Sequence, residues 1–412
     1  MKILALAGNY PHLGHPYSGI FNERCVEALN ELCDRVEVLA PRPFVPPWLS
    51  SIQPRWKSYA QIQRHQVRNG IPVYRPAYLQ IPWLARSFWL DPGAFLWCRR
   101  VAHNMHHHTR FDAIMSFDLD LSGGVAWRIG RELGIPASGW AFGDDVRVPR
   151  SSRLGRTVGR TIKHLDLVFY QSHELLEKAA GLAQMEPAQM PCHRHLVLPH
   201  GIPEPPALPR AATRQRVRSA LGISDDQLMV LNVGRMVREK GMYELLNAIS
   251  FAAARDPRIV CVMVGSKPDY DETATLLKTL EATPYYQDHI RLLPACRPHE
   301  VWEYLCATDM FAFPSHNEGM PNSLLEAMSM EVPSIAFAIP PILEIKAQTE
   351  ALVLVPPFNS RCFGKEILHL ATSPTSRARI GKIGKSQVKD RFMVHKNMAK
   401  ALQSISQLSH KS

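Results

Sequence analysis

The stretch Pro314-Ser315-His316-Asn317-Glu318-Gly319-Met320-Pro321-Asn322-Ser323-Leu324-Leu325-Glu326-Ala327-Met328 directly follows a short apolar run at residues 310–313. A run of this length between turn signals is typical of a buried strand. Pro321 suits the first turn of a helix, where its missing N–H is harmless. The stretch therefore predicts a strand, a polar loop that carries Glu318, and a helix that carries Glu326.

The spacing of these two carboxylates limits the chemistry that they can perform. Eight positions separate Glu318 from Glu326, which corresponds to roughly 12 Å if the segment is helical throughout. The paired carboxylates of a glycosidase lie about 5–9.5 Å apart, so hydrolysis by an acid and base pair is not expected. The spacing instead suits an elongated ligand held at two points, with the N–H groups of the helix start available to phosphate.

A second polar loop lies upstream, after the apolar run at residues 229–233, and reads Gly234-Arg235-Met236-Val237-Arg238-Glu239-Lys240-Gly241. A glycine followed by spaced cations at the start of a helix suits a diphosphate, because Arg, Lys and helix-start N–H groups all bind phosphate oxygens. For this segment taken alone, a solvated charged turn is the alternative.

Short apolar runs and helical patterns alternate along the whole chain in two series. The first series of predicted strands comprises residues 3–7, 36–40, 113–117, 137–141, 167–170 and 196–199. The second comprises residues 229–233, 260–264, 290–293, 310–313, 334–337 and 352–355. Such alternation predicts parallel sheets covered by helices on both faces. A length of 412 residues also suits two domains, so we predict two doubly wound α/β domains.

The domain boundary is predicted from a proline-rich linker at residues 201–209, which cannot continue a helix or a central strand. We therefore predict a first domain at residues 1–205 and a second at residues 206–385. Apolar spacing at residues 386–412 predicts a terminal helix, and the first domain is the candidate surface for it to pack against.

Composition limits the class of protein and the cellular compartment that can be expected. The 8 cysteines are scattered without zinc-site spacing, which indicates reduced thiols in a reducing compartment. The opening Met1-Lys2-Ile3-Leu4-Ala5-Leu6-Ala7-Gly8 has an apolar run shorter than the roughly 7–15 residues of a signal peptide, so we expect a first strand. No run approaches the ~20 apolar residues of a membrane span. We expect a cytoplasmic protein, either soluble or peripheral on the inner face of the plasma membrane.

The joint pattern of motifs resembles glycosyltransferase family 4. The resemblance rests on Glu, seven residues, Glu between Pro314-Ser315 and Ala327-Met328, and on Gly-Arg…Glu-Lys-Gly upstream. Asn9-Tyr10-Pro11…Gly19-Ile20-Phe21, followed by Val26-Glu27-Ala28-Leu29, resembles a subgroup that builds bacterial cell-surface polysaccharides. The resemblance implies the GT-B architecture, with two facing Rossmann-like domains and a deep cleft between them. It also implies a retaining, hexosyltransferase-type enzyme that moves a sugar from a nucleotide-diphosphate donor, most often a UDP-sugar, to a hydroxyl acceptor.

The same resemblance implies the site residues. Arg235 and Lys240 would bind the donor diphosphate, Glu326 the ribose hydroxyls, and Glu318 the transferred sugar. Other positions implied to lie at the donor or the sugar are Gly19, Asp145, Gly234, Gly319, Met320, Pro321, Asn322 and Ser323. No metal or other cofactor is expected, because the diphosphate charge can be met by Arg235, Lys240 and a helix start.

Three positions depart from the family pattern, and they keep open a catalytically impaired homologue that acts as a scaffold. Phe142 stands where the family often has histidine, Glu331 replaces a glycine after the helix motif, and Pro340-Pro341 replaces a Gly-Gly turn. Proline has no N–H to offer a ligand. His200 replaces a common asparagine and is a candidate site residue.

The partners follow from charge and from the resemblance. The chain carries 48 Lys+Arg against 37 Asp+Glu, a net charge of +11, which suits anionic partners. A nucleic-acid-binding protein is the alternative from another class, but the chain lacks its usual motifs, so no nucleic acid is expected. The expected acceptor is a glycan or a lipid-linked molecule. Residues 41–97 combine basic and large aromatic side chains, which suits either an anionic membrane surface or ordinary core.

Overall fold

A computed structural model describes residues 1–46, 59–78, 92–266, 272–282, 286–346 and 350–409. The chain forms two compact units, one of Met1–Pro203 with Val394–Ser412 and the other of Glu204–Met393. The linker predicted at residues 201–209 therefore contains the first division. The second division lies after residue 393, not after the predicted 385, because a single helix continues through that position.

The first unit is built on an eight-stranded sheet of order β10-β9-β8-β7-β1-β2-β5-β4, beside a two-stranded ribbon of β3 and β6. The strands are β1 (Lys2–Leu6), β2 (Arg35–Leu39), β3 (Arg42–Pro43), β4 (His65–Arg68), β5 (Ile71–Tyr74), β6 (Ala77–Tyr78), β7 (Ala113–Ser116), β8 (Ala137–Ala141), β9 (Leu167–Tyr170) and β10 (His195–Val197). All pairs in the large sheet are parallel except the hairpin of β4 and β5.

Helices cover both faces of this sheet. They are α1 (Ile20–Leu32), α2 (Pro92–Thr109), α3 (Ser122–Leu133), α4 (Arg153–His164) and α5 (His173–Ala183). Strand β1 is apolar from Ile3 to Leu6 because both of its faces are buried: Leu4 and Leu6 join the core on one face, and Ile3 and Ala5 join the core on the other. Side chains alternate between the faces of a strand, so a sheet covered twice needs continuous apolar runs.

The second unit has a six-stranded parallel sheet of order β13-β12-β11-β14-β15-β16. Its strands are β11 (Leu228–Val233), β12 (Ile259–Ser266), β13 (Ile290–Pro294), β14 (Met310–Phe313), β15 (Ser334–Phe337) and β16 (Val353–Val355). Its helices are α6 (Arg210–Ala220), α7 (Met242–Ala253), α8 (Thr273–Glu281), α9 (Tyr286–His289), α10 (Pro298–Ala307), α11 (Asn322–Ser329), α12 (Pro340–Lys346), α13 (Ser360–Thr372) and α14 (Pro374–Arg391).

The terminal helix α15 (Val394–Ser409) belongs to the first unit. Its buried residues Val394, Met398, Ala401 and Ile405 join the same core cluster as α1. The backbone N–H of Val394 donates to the carbonyl of Ile202 at 2.9 Å, which ties the start of the helix to the linker. No helix within the described residues is long and apolar enough to cross a membrane.

The hairpin of β4 and β5, which lies in the zone of residues 41–97, was not predicted from the sequence. Its turn is Asn69-Gly70, with φ angles of 49° and 79°. This dipeptide is a strong hairpin signal because both positions tolerate positive φ. Most of the aromatic and several of the basic residues of the zone (Trp48, Arg55, Trp56, Lys57, Trp83, Arg86, Phe88 and Trp89) lie outside the described residues.

Candidate active site

The two motif loops of the second unit meet at one point of its sheet. In the order β13-β12-β11-β14-β15-β16, the chain direction across the sheet reverses between β11 and β14. The loop at residues 234–241 follows β11, and the loop at residues 314–321 follows β14. In open parallel sheets, ligands bind beyond the carboxyl ends of the strands at such a reversal. The topology therefore places both predicted motifs where this sheet type binds ligands.

The two loops are packed directly on each other. The backbone N–H of His316 donates to the carbonyl of Glu239 at 2.9 Å. Gly241 has a φ of +69°, and a Cβ there would lie 1.9 Å from the carbonyl oxygen of Pro314. Only glycine fits such a contact at positive φ. This explains the glycine that ends the first motif and fixes the position of Lys240 beside the second.

Lys240 and Glu318 form an ion pair at this junction, with Lys240 Nζ 2.7 Å from Glu318 Oε1. The two side chains are 21% and 10% exposed. Partial burial reduces screening by water, so the attraction between the two charges is stronger than in an exposed ion pair. The structure thus joins two residues that are 78 positions apart in the sequence.

Gly234 and Arg235 are the first two residues of the first loop. The Arg235 side chain is exposed, and it makes no ion pair with another residue of the described ranges. A Cβ on Gly234 would meet no atom within 4 Å, so a ligand can approach the backbone closely there. Behind it, Gly265 has a φ of +128° and packs on the Gly234 carbonyl. The loop therefore has an exposed cation directly after a stretch of accessible backbone.

Helix α11 carries the rest of the motif. Its first turn includes N–H groups that have no partner inside the helix. Ser323 Oγ donates to the carbonyl of Val233 at 3.0 Å, which anchors the helix start to the end of β11. Asn322 Oδ1 is buried without a hydrogen-bond partner among the described residues. Glu326 is 7% exposed and lies one turn further along the helix. Helix α11 begins only at Asn322, so the segment between Glu318 and Glu326 is not helical throughout.

The remaining predicted residues of this unit lie in the second loop. Gly319, Met320 and Pro321 connect Glu318 to α11, and Pro321 lies immediately before the helix, one residue earlier than predicted. No role was predicted for His316, whose ring centroid lies 4.3 Å from that of Phe358. Its position inside the motif was the feature of the sequence that could have indicated a role.

Asp145 and Gly19 lie in the first unit and are described there alone. The buried carboxylate of Asp145 accepts from the backbone N–H groups of Leu119 at 3.0 Å, Phe142 at 3.1 Å and Gly143 at 2.8 Å. Burial outweighs these bonds and raises the pKa of Asp145 to about 6. Within the described residues, the geometry of Asp145 is that of a residue that organises its loop.

Contacts within the first unit explain why residue 19 is a glycine. It precedes α1 with a φ of +73°, and a Cβ there would lie 2.4 Å from the carbonyl oxygen of Asn9. The space that a side chain would occupy is thus filled by the chain itself. Nearby, Phe142 packs against Phe21 and the buried His200, with ring centroids 5.1 Å and 5.2 Å apart. Phe142 therefore has a packing role in the first unit.

The sheet of the first unit has its own reversal, between β1 and β7, which sequence analysis did not use. Asp118 follows β7 there, and its carboxylate accepts from the N–H of Gly8 at 3.0 Å and from Ser122 Oγ at 2.7 Å. An acidic residue just past a predicted strand was the feature of the sequence that could have indicated Asp118.

His106, His107 and His108 lie at the end of α2, and no group suited to a metal ion occurs among the described residues.

Comparison with known proteins gives the family. Residues 213–387 match the family model described as glycosyl transferases group 1. TuaC of Bacillus subtilis (strain 168), a glycosyltransferase provisionally named for teichuronic acid biosynthesis, is 29% identical over 359 residues, 86% of this chain and 86% of TuaC. Residues 213–387 therefore belong to the group 1 glycosyltransferases, and the chain is a glycosyltransferase. This glycosyltransferase is also 23% identical to the capsular polysaccharide biosynthesis enzyme CapM of Staphylococcus aureus, over 41% of this chain and 43% of CapM.

Solved structures confirm the fold class of the glycosyltransferase. A sucrose-phosphate synthase from Thermosynechococcus elongatus matches with a TM-score of 0.77 at 18% identity over 100% of both chains. HepE of Anabaena, solved in complex with UDP, matches with a TM-score of 0.72 at 17% identity over 99% of this chain and 100% of HepE. The predicted GT-B class with two Rossmann-like domains and the prediction of a glycosyltransferase are confirmed. The roles of individual site residues stay predictions.

Proposed function

We propose that the enzyme transfers a sugar from a nucleotide-diphosphate sugar, with UDP as the nucleotide, to a hydroxyl acceptor, with retention at the anomeric carbon. We place this reaction in cell-surface polysaccharide biosynthesis. The names of TuaC and CapM support the pathway. The HepE structures with UDP and with UDP-glucose support the donor.

The observation that carries the proposal is the meeting of Lys240 and Glu318 at the reversal of the second sheet, beside the start of α11. When a sugar leaves a nucleotide diphosphate, negative charge grows on the departing phosphate oxygens. Arg235, Lys240 and the N–H groups of the helix start supply positive charge on one side of the loops, which suits stabilisation of that charge.

The carboxylates suit the two ends of the donor. Glu326, about one turn into α11, would accept hydrogen bonds from the ribose hydroxyls, as a buried carboxylate does well. Glu318 would contact the transferred sugar, where an oxocarbenium-like transition state develops positive charge. Glu318 is also paired with Lys240, and a glutamine at this position would still accept a hydrogen bond from that ammonium group.

Calorimetry with UDP and the full chain tests the orientation of the donor. Glu326→Gln should weaken UDP binding by about tenfold or more, because a charged hydrogen bond contributes roughly 1.5–3 kcal/mol. Glu318→Gln should leave UDP binding undiminished and reduce turnover, because its proposed partner is the sugar. Glu281→Gln is the matched control, since Glu281 is exposed at the end of α8.

Two results would count against this assignment. Loss of UDP binding in Glu318→Gln together with normal binding in Glu326→Gln would mean that the donor runs the other way along α11. Unchanged UDP affinity in Glu326→Gln, Arg235→Ala and Lys240→Ala together would remove the second-unit loops as the donor site.

A further inference from the structure

The first unit contains a large cavity that has no part in the proposed donor site. Its volume is about 990 Å³, at the upper end of the roughly 300–1,000 Å³ of ligand pockets. It lies between the end of β5, the β3 and β6 ribbon, and one face of α2. The described residues that line it have apolar, aromatic or basic side chains.

The apolar wall consists of Phe44, Leu96, Trp97 and Val101. Leu96 and Trp97 are 63% and 57% exposed, and Phe44 is 44% exposed. On α2, Trp97 and Val101 are one turn apart and therefore neighbours on the same face. Large apolar side chains gathered and exposed in this way mark a binding surface.

The arginine cluster consists of Arg64, Arg75 and Arg100, all of which line the cavity. Arg64 and Arg100 are exposed, whereas Arg75 is 3% exposed. Arg75 Nη2 donates to the carbonyl of Pro11 at 2.7 Å, but Arg75 Nε is buried without a partner among the described residues. A buried guanidinium with an unused N–H can bind an anion at that N–H.

The charge around this cluster is not neutralised by nearby carboxylates. Burial lowers the pKa of Arg75 to about 10. The charges of Arg68 and Arg42 act in the same direction, whereas Tyr10 and Glu23 act in the opposite one. Glu23 is itself paired with Arg68. None of the described residues that line the cavity is acidic. In the sequence, residues 41–97 contain a single acidic residue, Asp91.

We propose that this cavity binds one molecule of an amphiphile, a hydrocarbon chain that ends in a phosphate group. The chain would lie on the apolar wall and the phosphate would lie in the arginine cluster. Phosphate is the preferred partner because three arginines line the same cavity, and guanidinium N–H donors match the oxygens of a phosphate. A flat array of lipid headgroups is a poorer fit, since Arg75 is too deeply buried to reach it.

Such a molecule suits the acceptor or its carrier, and that part of the inference rests on the proposed function. Binding itself does not depend on it. The first probe is dodecyl phosphate, kept below its micelle concentration and titrated calorimetrically into the full chain. Dodecyltrimethylammonium has the same chain with the opposite charge, and inorganic phosphate has the headgroup without the chain. Dodecyl phosphate should bind at least tenfold more tightly than either.

Variants assign the binding to the cavity. Arg64→Gln combined with Arg100→Gln should weaken dodecyl phosphate binding about tenfold or more. Both side chains are exposed, so folding should be preserved. Arg99→Gln is the matched control, because Arg99 neighbours Arg100 on α2 but pairs with Glu132 and does not line the cavity. Leu96→Ser should weaken binding of the same probe through the apolar wall.

Each result of these binding experiments leads to a different conclusion. Equal affinity for the two dodecyl compounds, or full binding in the double arginine variant, would overturn the proposal. Binding to vesicles of phosphatidylcholine and phosphatidylglycerol without binding of monomeric dodecyl phosphate would replace it with a membrane surface. UDP binding should be unchanged in the arginine variants. Failure of UDP to bind the unsubstituted chain would contradict the donor assignment alone.

Discussion

At the residue scale, Gly241 decides whether the two motif loops can pack together. Gly241→Ala would place a methyl group 1.9 Å from the Pro314 carbonyl, in a residue with a φ of +69°. One loop must then move away from the other, and Lys240 must move away from Glu318. We expect both lower stability and weaker UDP binding, measured by urea unfolding and by calorimetry.

Gly222 provides the matched control for this substitution. It has a similar φ of +65°, but a Cβ there would meet no atom within 4 Å. Gly222→Ala therefore introduces the same backbone strain, about 1–2 kcal/mol, without the collision. Gly241→Ala should cost clearly more stability than Gly222→Ala, and only Gly241→Ala should lose UDP binding. Equal effects of the two substitutions would show that the contact with Pro314 is unimportant.

At the element scale, the end of α11 holds a strained residue. Glu331 has a φ of 63°, the left-handed conformation that glycine adopts most readily. Its side chain forms an exposed ion pair with Lys385, with Oε1 2.8 Å from Nζ. Glu331→Gly should be more stable than Glu331→Ala by about 1 kcal/mol, because alanine keeps the strain and glycine removes it.

Thermal and urea unfolding of the two Glu331 variants measure this difference. Both variants lose the ion pair with Lys385, so its contribution cancels in the comparison. A more stable alanine variant would mean that the extra freedom which glycine gives the unfolded chain outweighs the strain, contrary to our expectation. Glu331, which departs from the family pattern, is thus expected to affect local stability at the end of the motif helix.

Elements were predictable where burial imposes a simple pattern. The apolar runs at residues 137–141, 167–170, 310–313 and 334–337 coincide with β8, β9, β14 and β15. Both faces of these strands are covered, so nearly every position is apolar. The buried exceptions, Ser138 and Ser334, each donate a hydroxyl hydrogen bond to a backbone carbonyl. The hairpin of β4 and β5 lies at the sheet edge, where its pattern is partly polar. The Asn69-Gly70 turn was the feature of the sequence that indicated it.

At the scale of the whole molecule, the motifs of the second unit were predictable and their contacts were not. A strand followed by a polar loop and a helix places Glu318 and Lys240 at the same end of a parallel sheet. Their contact at 2.7 Å depends on strand order, since β11 and β14 are neighbours although β12 and β13 lie between them in the sequence. The arginine-lined cavity likewise depends on three separate segments, which no local pattern reveals.

The return of α15 to the first unit makes the last residues part of a core that begins at residue 3. Met398 is fully buried and shares a cluster with Val26 and Leu29 of α1. Truncation after Met393 would expose that apolar face, so the first unit should lose stability and bind a hydrophobic dye. Met398→Ala should have a smaller effect of the same kind, about 2–5 kcal/mol, as expected for a core methionine.

Hydrogen exchange read strand by strand is the sharpest measurement for this change, because local stability differs between parts of a structure. In Met398→Ala, β1 and β2 should lose protection, since their residues share the core cluster with α15. Strands β11 and β14 should exchange as before, since they belong to the other unit. Lys400→Ala is the matched control on α15, because Lys400 is exposed. Equal loss of protection in both units would mean that the chain unfolds as one cooperative body.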